Sequence, residues 1–169
     1  APTDVDKFVA DFAQDAAAAY SRLIDALLAS RHYGDRWARH WMDIVRYAES
    51  NGYAFDGDRP FAWHYRDFII RALNSDMPYD EFVRLQIAGD LLTNTDVQTA
   101  DESKTAIDHI AATGFGVAGP YTTQQTQKER ERSRYEQLDD MIGTIGTSLL
   151  GLTVGCAPVS YTHLTLPTS

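Results

Sequence analysis

Apolar residues recur at intervals of three and four along most of this chain, the spacing that lays them on one face of a helix. Val5, Phe8, Val9 and Phe12 mark a first helix, opened by Thr3 or Asp4 behind Pro2. Ala16 to Ser30 predicts a second, with Tyr20, Leu23, Ile24, Leu27 and Leu28 as its stripe. Gly34 suits a left-handed stop after it. Asp35 caps a third helix running to about Ser50, with Trp37, Trp41, Ile44, Val45 and Ala48 inward, and with Arg39 and Asp43 spaced to pair. A turn-rich loop leads to Pro60, which fits the first turn of a fourth helix capped by Asp58. Its core face is Phe61, Tyr65, Phe68, Ile69, Ala72 and Leu73. Tyr79 to Ala88 predicts a fifth helix with Phe82, Val83 and Ile87 inward, and Gly89 to Asp101 a polar surface loop. Glu102 to Thr113 makes a short sixth helix around Ala106, Ile107 and Ile110, followed by irregular chain to Thr123. Gln124 to Leu150 is the longest helix, buried along Tyr135, Leu138, Ile142, Ile145 and Leu149, with Lys128 to Arg134 as a solvated charge run. No stretch reads as a strand. The expected fold is all-α, an irregular bundle of six to seven helices organised around the aromatic third and fourth.

Composition narrows the function classes. At 169 residues the chain is one domain or a piece of a longer protein. A net charge of −9 argues against nucleic acid or an anionic membrane surface as the main partner. No run of apolar residues is long enough for a transmembrane helix. The single cysteine, Cys156, excludes an internal disulfide and a multi-cysteine metal site.

Candidate chemistry concentrates between Gly34 and Asp67, which hold all three tryptophans. Asp43, Asp56 and Asp67, interleaved with arginines, are candidate catalytic carboxylates, since two facing carboxylates can act as acid and base on a glycoside. The ordinary alternative is an Arg–Asp network holding two helices and their loop in register. His40 and His64, each near a tryptophan, are candidate metal or haem ligands, although no H-E-x-x-H pattern or i, i+4 histidine pair accompanies them. Gly114, Gly116 and Gly119 fit G-x-G-x-x-G. A dinucleotide site needs a strand before that motif, and here a helix precedes it, so the match reads as accidental.

The run HYGDRWARHWMDIVRYAESNGY, then FDGDRP, AWHYRDFIIRALN and PYDEFVRLQIAGDLL, with ATGF, QLDDMIGTIG and LGLTVGCA further on, resembles the planctomycete cytochrome-c-associated domain of unknown function 1549. The likeness spans about Asp4 to Ala157. It implies an exported, periplasmic or otherwise extracytoplasmic multidomain protein beside a haem-c segment, with neighbouring domains of the parent chain as partners. In that family LGLTVGCA continues into C-x-x-C-H, where two thiols bind haem and the histidine ligates iron. Cys156 would be the first thiol of that site in the intact parent, and no cofactor is expected in this chain as it stands.

Val159 to Thr168 reads VSYTHLTLPT, the translation of a transposase adapter used in library preparation. The expectation is a helical domain over residues 1–157, truncated at both ends, and an adapter-derived tail over 158–169. Three functions stay open: a redox or electron-transfer module, a hydrolase domain acting on a saccharide or another small molecule, and a structural or interaction module.

Overall fold

The computed structural model describes residues 2–52, 56–93, 99–123 and 125–154. The fold is all-α. Eight helical segments follow in order: α1 (Pro2–Gln14), α2 (Ala16–Leu28), α3 (His32–Ile44), α4 (Trp63–Asn74), α5 (Tyr79–Ala88), α6 (Ala100–Ala112), the single turn α7 (Gly114–Val117) and α8 (Gln127–Leu149). Among the described residues the only β pairing is one antiparallel bridge, Ser50 to Asp58.

The core lies where α3 crosses α4, with α5, α6 and α7 closing over it. Phe68 and Ile69 of α4, Ala38 and Val45 on the α3 side, Leu85 of α5 and Phe115 of α7 are all buried. The inward face of α3 begins at Gly34, which is not a helix stop. A Cβ there would sit 2.6 Å from the Ile70 carbonyl oxygen, so only glycine lets the two helices approach this closely. Asn74 ties the contact at both ends: its Oδ1 accepts from the Gly34 N–H at 2.8 Å, and its Nδ2 donates to the Arg31 carbonyl at 2.9 Å.

A polar knot sits inside this apolar core. Gln86, only 2 % exposed, accepts at Oε1 from the Trp41 indole at 2.9 Å and from the Tyr65 hydroxyl at 2.7 Å. Trp41 also donates to the Tyr65 oxygen at 3.1 Å. Burial pushes the Tyr65 phenol upward, so it remains a donor. The inward residues of α5 are therefore Phe82, Leu85 and Gln86, while Ile87, expected inside, is exposed.

Several stripes read as core face solvent instead. Trp37 is 52 % exposed, because α3 turns its small residues, Gly34 and Ala38, toward α4 and leaves Trp37 on the flank beside Tyr33 and His40. α1 and α2 form a hairpin joined by Phe8, Phe12 and Tyr20, edge to face, and by Arg22 to Asp11 at 3.2 Å. Asp15 caps α2 by accepting from the Ala18 N–H. Yet Val5, Val9, Ile24, Leu27 and Leu28 remain exposed, and Ala19 alone is buried in this pair. On α8, Tyr135, Leu138 and Ile142 point outward, whereas Ser133 and Thr144 are buried and only Ile145 and Leu149 reach the core. Ile107 and Ile110 of α6 are likewise exposed.

These differences predict the ranking of substitutions. Gln86→Met leaves the indole and phenol donors short of an acceptor and should cost about 1–3 kcal/mol. Gly34→Ala should cost about 1–3 kcal/mol through overpacking. Ile24→Ala, on the exposed hairpin face, should change stability by less than about 0.5 kcal/mol. Urea denaturation midpoints at constant m-value check all three.

Candidate functional site

The site begins where α3 stops. The expected helix to Ser50 ends at Ile44, and Arg46 takes a left-handed φ of 57° that turns the chain aside. Asp56 then folds the following loop. Its Oδ1 accepts from the Gly52 N–H at 2.7 Å, and its Oδ2 from the Ser50 hydroxyl at 3.0 Å. These bonds, the Gly52 amide first, hold its carboxyl below the usual aspartate value although it is fully exposed. The Arg59 N–H donates to the Glu49 carbonyl at 2.7 Å, and Asp58 is drawn into the Ser50 bridge instead of capping a helix, so α4 opens only at Trp63.

Arginines pin this loop to the rest of the fold. Arg59 Nε donates to Asn51 Oδ1 at 2.9 Å. Its two terminal nitrogens reach the carbonyls of Ala118 at 3.0 Å and Gly119 at 2.7 Å, with Val117 at 3.3 Å. Those carbonyls follow a one-turn helix and have no helical partner, so the guanidinium supplies the missing donors. Arg46 pairs with the Asp140 carboxylate of α8 and donates to Thr144 Oγ1 at 2.5 Å. Arg66 bridges Glu49 at 2.5 Å and Asp67 at 3.1 Å. Tyr47 donates to the same Glu49 at 3.0 Å, and burial with that hydrogen bond pushes its phenol up to about 12.

Between the loop, the first turn of α4, α7 and α8 opens a cleft of about 590 Å³. Its walls include Tyr47, Phe61, His64, Val117, Tyr121 and Met141. At its rim His64 stacks on Trp63 with ring centroids 3.7 Å apart, and Phe61 lies nearly parallel beyond it at 6.5 Å. Two glycines of the G-x-G-x-x-G match serve packing here: a Cβ on Gly114 would stand 3.0 Å from the Tyr65 ring, and one on Gly119 would strike the Asp140 carboxylate. A helix precedes the motif, as read from the sequence. A smaller cavity of about 280 Å³ is lined by Trp37, His40, Trp41, Tyr79 and Phe82 among others.

The candidate residues are not gathered together. Asp43 lies exposed on α3, Asp56 is spent on its own loop, and Asp67 is held by Arg66. None of the three lines either cavity. His64 borders the larger and His40 the smaller. Among the described residues no group of three His, Cys, Asp or Glu could hold a metal ion. Cys156 and the tail from Pro158 lie outside the described residues, as do residues 53–55 and 94–98 of the two expected loops and the expected helix start at Gln124. Sequence reading missed Asp140 and Gln137, which face the cleft from α8. No local signal marks them, because Arg46 and Asp140 meet only across 94 residues.

A family model described as PSCyt2, protein of unknown function (DUF1549), matches residues 1–158. No curated protein and no solved structure matches the chain.

The Asp56 carboxyl carries a pH signature. Its folded value is depressed, so its contribution to the loop is present above the ordinary 3.8 and is lost as pH falls through the lower folded value. The Gly52 amide resonance should therefore hold its position down to about pH 4 and shift only below it. In Asp56→Asn that acid shift should vanish, which a proton–nitrogen NMR titration would read.

Proposed function

The chain belongs to this family of unknown function, and on that footing we propose that it is a helical module of an exported, multidomain, haem-c-associated planctomycete protein serving electron transfer. The observation that supports the reading is the family match, which runs through Cys156. In the present chain the donor set for covalent haem is incomplete: Val159 and Ser160 stand where C-x-x-C-H needs cysteine and histidine. The group therefore belongs to the parent, with Cys156 as its first thiol and residues from Pro158 onward derived from an adapter. The chain leading to Cys156 is anchored, since the Leu152 N–H donates to the Gly146 carbonyl at 2.8 Å and Val154 covers Gly146. Gly146 lies roughly 140° round α8 from Met141 and 180° from Gln137. The described chain after α8, as far as Val154, thus packs on a different face of α8 than the one lining the cleft. A saccharide hydrolase draws no support from the cleft, because Asp140, its lining carboxylate among the described residues, is already paired with Arg46.

A second reading, as an interaction module, is favoured by the uncovered apolar stripes of α1, α2 and α8. Neighbouring domains of the parent chain are the cover that this reading assigns to them.

Two measurements separate these. The uninterrupted parent, expressed in a periplasmic cytochrome c-maturing host, should show haem staining and a Soret band that Cys156→Ala abolishes. A parent gene that keeps Cys156 without Cys and His three and four residues later overturns the haem reading. For the second, Leu27→Glu and Ile142→Glu should leave the present chain as stable as before and lower the parent's melting temperature by several degrees. Equal effects in both remove the parent as the cover.

A further inference from the structure

We infer that the cleft between the Arg46–Arg59 loop, α4, α7 and α8 binds a neutral, planar, largely apolar ring compound bearing carbonyl acceptors, the chemistry of a quinone head-group. This stands apart from the haem reading, because it rests on the cleft, and the described chain after α8 packs through Val154 on another face of that helix.

Size comes first. About 590 Å³ falls inside the range of small-molecule sites. Charge comes second. The charged side chains at the cleft are Arg59 and Asp140. Arg59 spends its donors on Asn51 and on the carbonyls after α7, and Asp140 is neutralised by Arg46. A cationic ligand would find Asp140 already paired, and an anionic one would find the Arg59 donors turned onto protein carbonyls. Shape comes third. Phe61 is 75 % exposed at the rim, yet its ring lies within 25° of the His64 plane, and His64 within 25° of Trp63. Parallel rings at a cleft mouth offer flat faces for stacking.

Polar chemistry comes last. The Gln137 amide and the Tyr121 phenol border the cleft, and no hydrogen bond within the described structure commits either side chain. Each can donate to a carbonyl oxygen. With the Asn51 Nδ2 and the His64 ring also at the wall, these few donors among mostly apolar walls match a molecule with a small number of acceptors. They are fewer than the hydroxyls of a disaccharide, several of which would stay unpaired.

Gly116 supplies the test. It lines the cleft, and a Cβ built there meets nothing within 4 Å. The Cβ of Gly116→Leu is therefore accommodated, and its side chain should take up cleft volume. The probe is duroquinone, whose fully substituted ring does not alkylate Cys156, titrated into the purified chain by calorimetry. One-to-one saturable binding is expected, weakened at least about tenfold by Gly116→Leu with the melting temperature unchanged. Phe61→Ala, at an exposed position, should weaken it about threefold or more, and it carries the test if Gly116→Leu fails to fold. Absence of saturable binding overturns the proposal. So does affinity untouched by the substitution in a folded variant, or equal affinity for cellobiose or for the anionic anthraquinone sulfonate.

Discussion

The shared hydrogen bonds of Trp41, Tyr65 and Gln86 set the register of three helices at once. Apolar packing between α3, α4 and α5 is tolerant of small slides, because one methyl group contacts another nearly as well as its neighbour. A buried indole N–H, a phenol and an amide are not tolerant: each left unpaired costs about 1–3 kcal/mol. Only one relative placement satisfies the Trp41 donor and the Tyr65 donor at the same Gln86 oxygen. Gly34 fixes the distance at which this happens, and Phe68 and Ile69 then fill the space that remains.

The arginines act on a different level. Arg46, Arg66 and Arg71 are each partly exposed, so their ion pairs with Asp140, Glu49 and Asp108 add about 1 kcal/mol or less apiece. Their effect is on route more than on stability. Arg46 ends α3 and ties the turn to α8, while Arg59 gathers the carbonyls after α7 onto the same loop. A surface that would otherwise be four unrelated chain segments becomes one concave wall. Building that wall turns its charged groups onto protein partners, Arg46 onto Asp140 and Arg59 onto carbonyls, and leaves the lining mostly apolar toward a ligand.

Periodicity made the helices legible, and the pairing of α3 with α4 followed from their aromatic content. What it could not give was orientation. The small residues that let α3 approach α4, Gly34 and Ala38, carry little hydropathy, so the eye goes to Trp37 on the adjacent face. α8 shows the same failure at greater length. Its apolar stripe at Tyr135, Leu138 and Ile142 is real, but ahead of Ile145 the inward face is polar, where Arg46 and Gln125 meet Thr144, Asp140 and Ser133. The end of α3 was hidden for another reason: an arginine at positive φ is uncommon and has no composition cue. The cleft inherits both difficulties, since it is made from that unmarked turn and from side chains far apart in sequence.

The apolar surface that stays exposed divides into two kinds with different physical uses. The cleft is concave, has Gly114 packed close on Tyr65 and Gly119 on Asp140, and is braced by arginine contacts; such a surface fits a small rigid molecule. The stripes on α1, α2 and α8 are convex and belong to whole helices, the shape that another helix or a sheet covers. α1 and α2 make the contrast sharp. Two thirteen-residue helices are marginal alone, and helical stability comes mostly from burying an amphipathic face. Here much of that face stays exposed, and Ala19 alone is buried. Their aromatic hinge at Phe8, Phe12 and Tyr20 holds one helix to the other, but it cannot substitute for a core. A hairpin with strong amphipathic patterning and a single buried residue leaves most of its apolar stripe open to solvent.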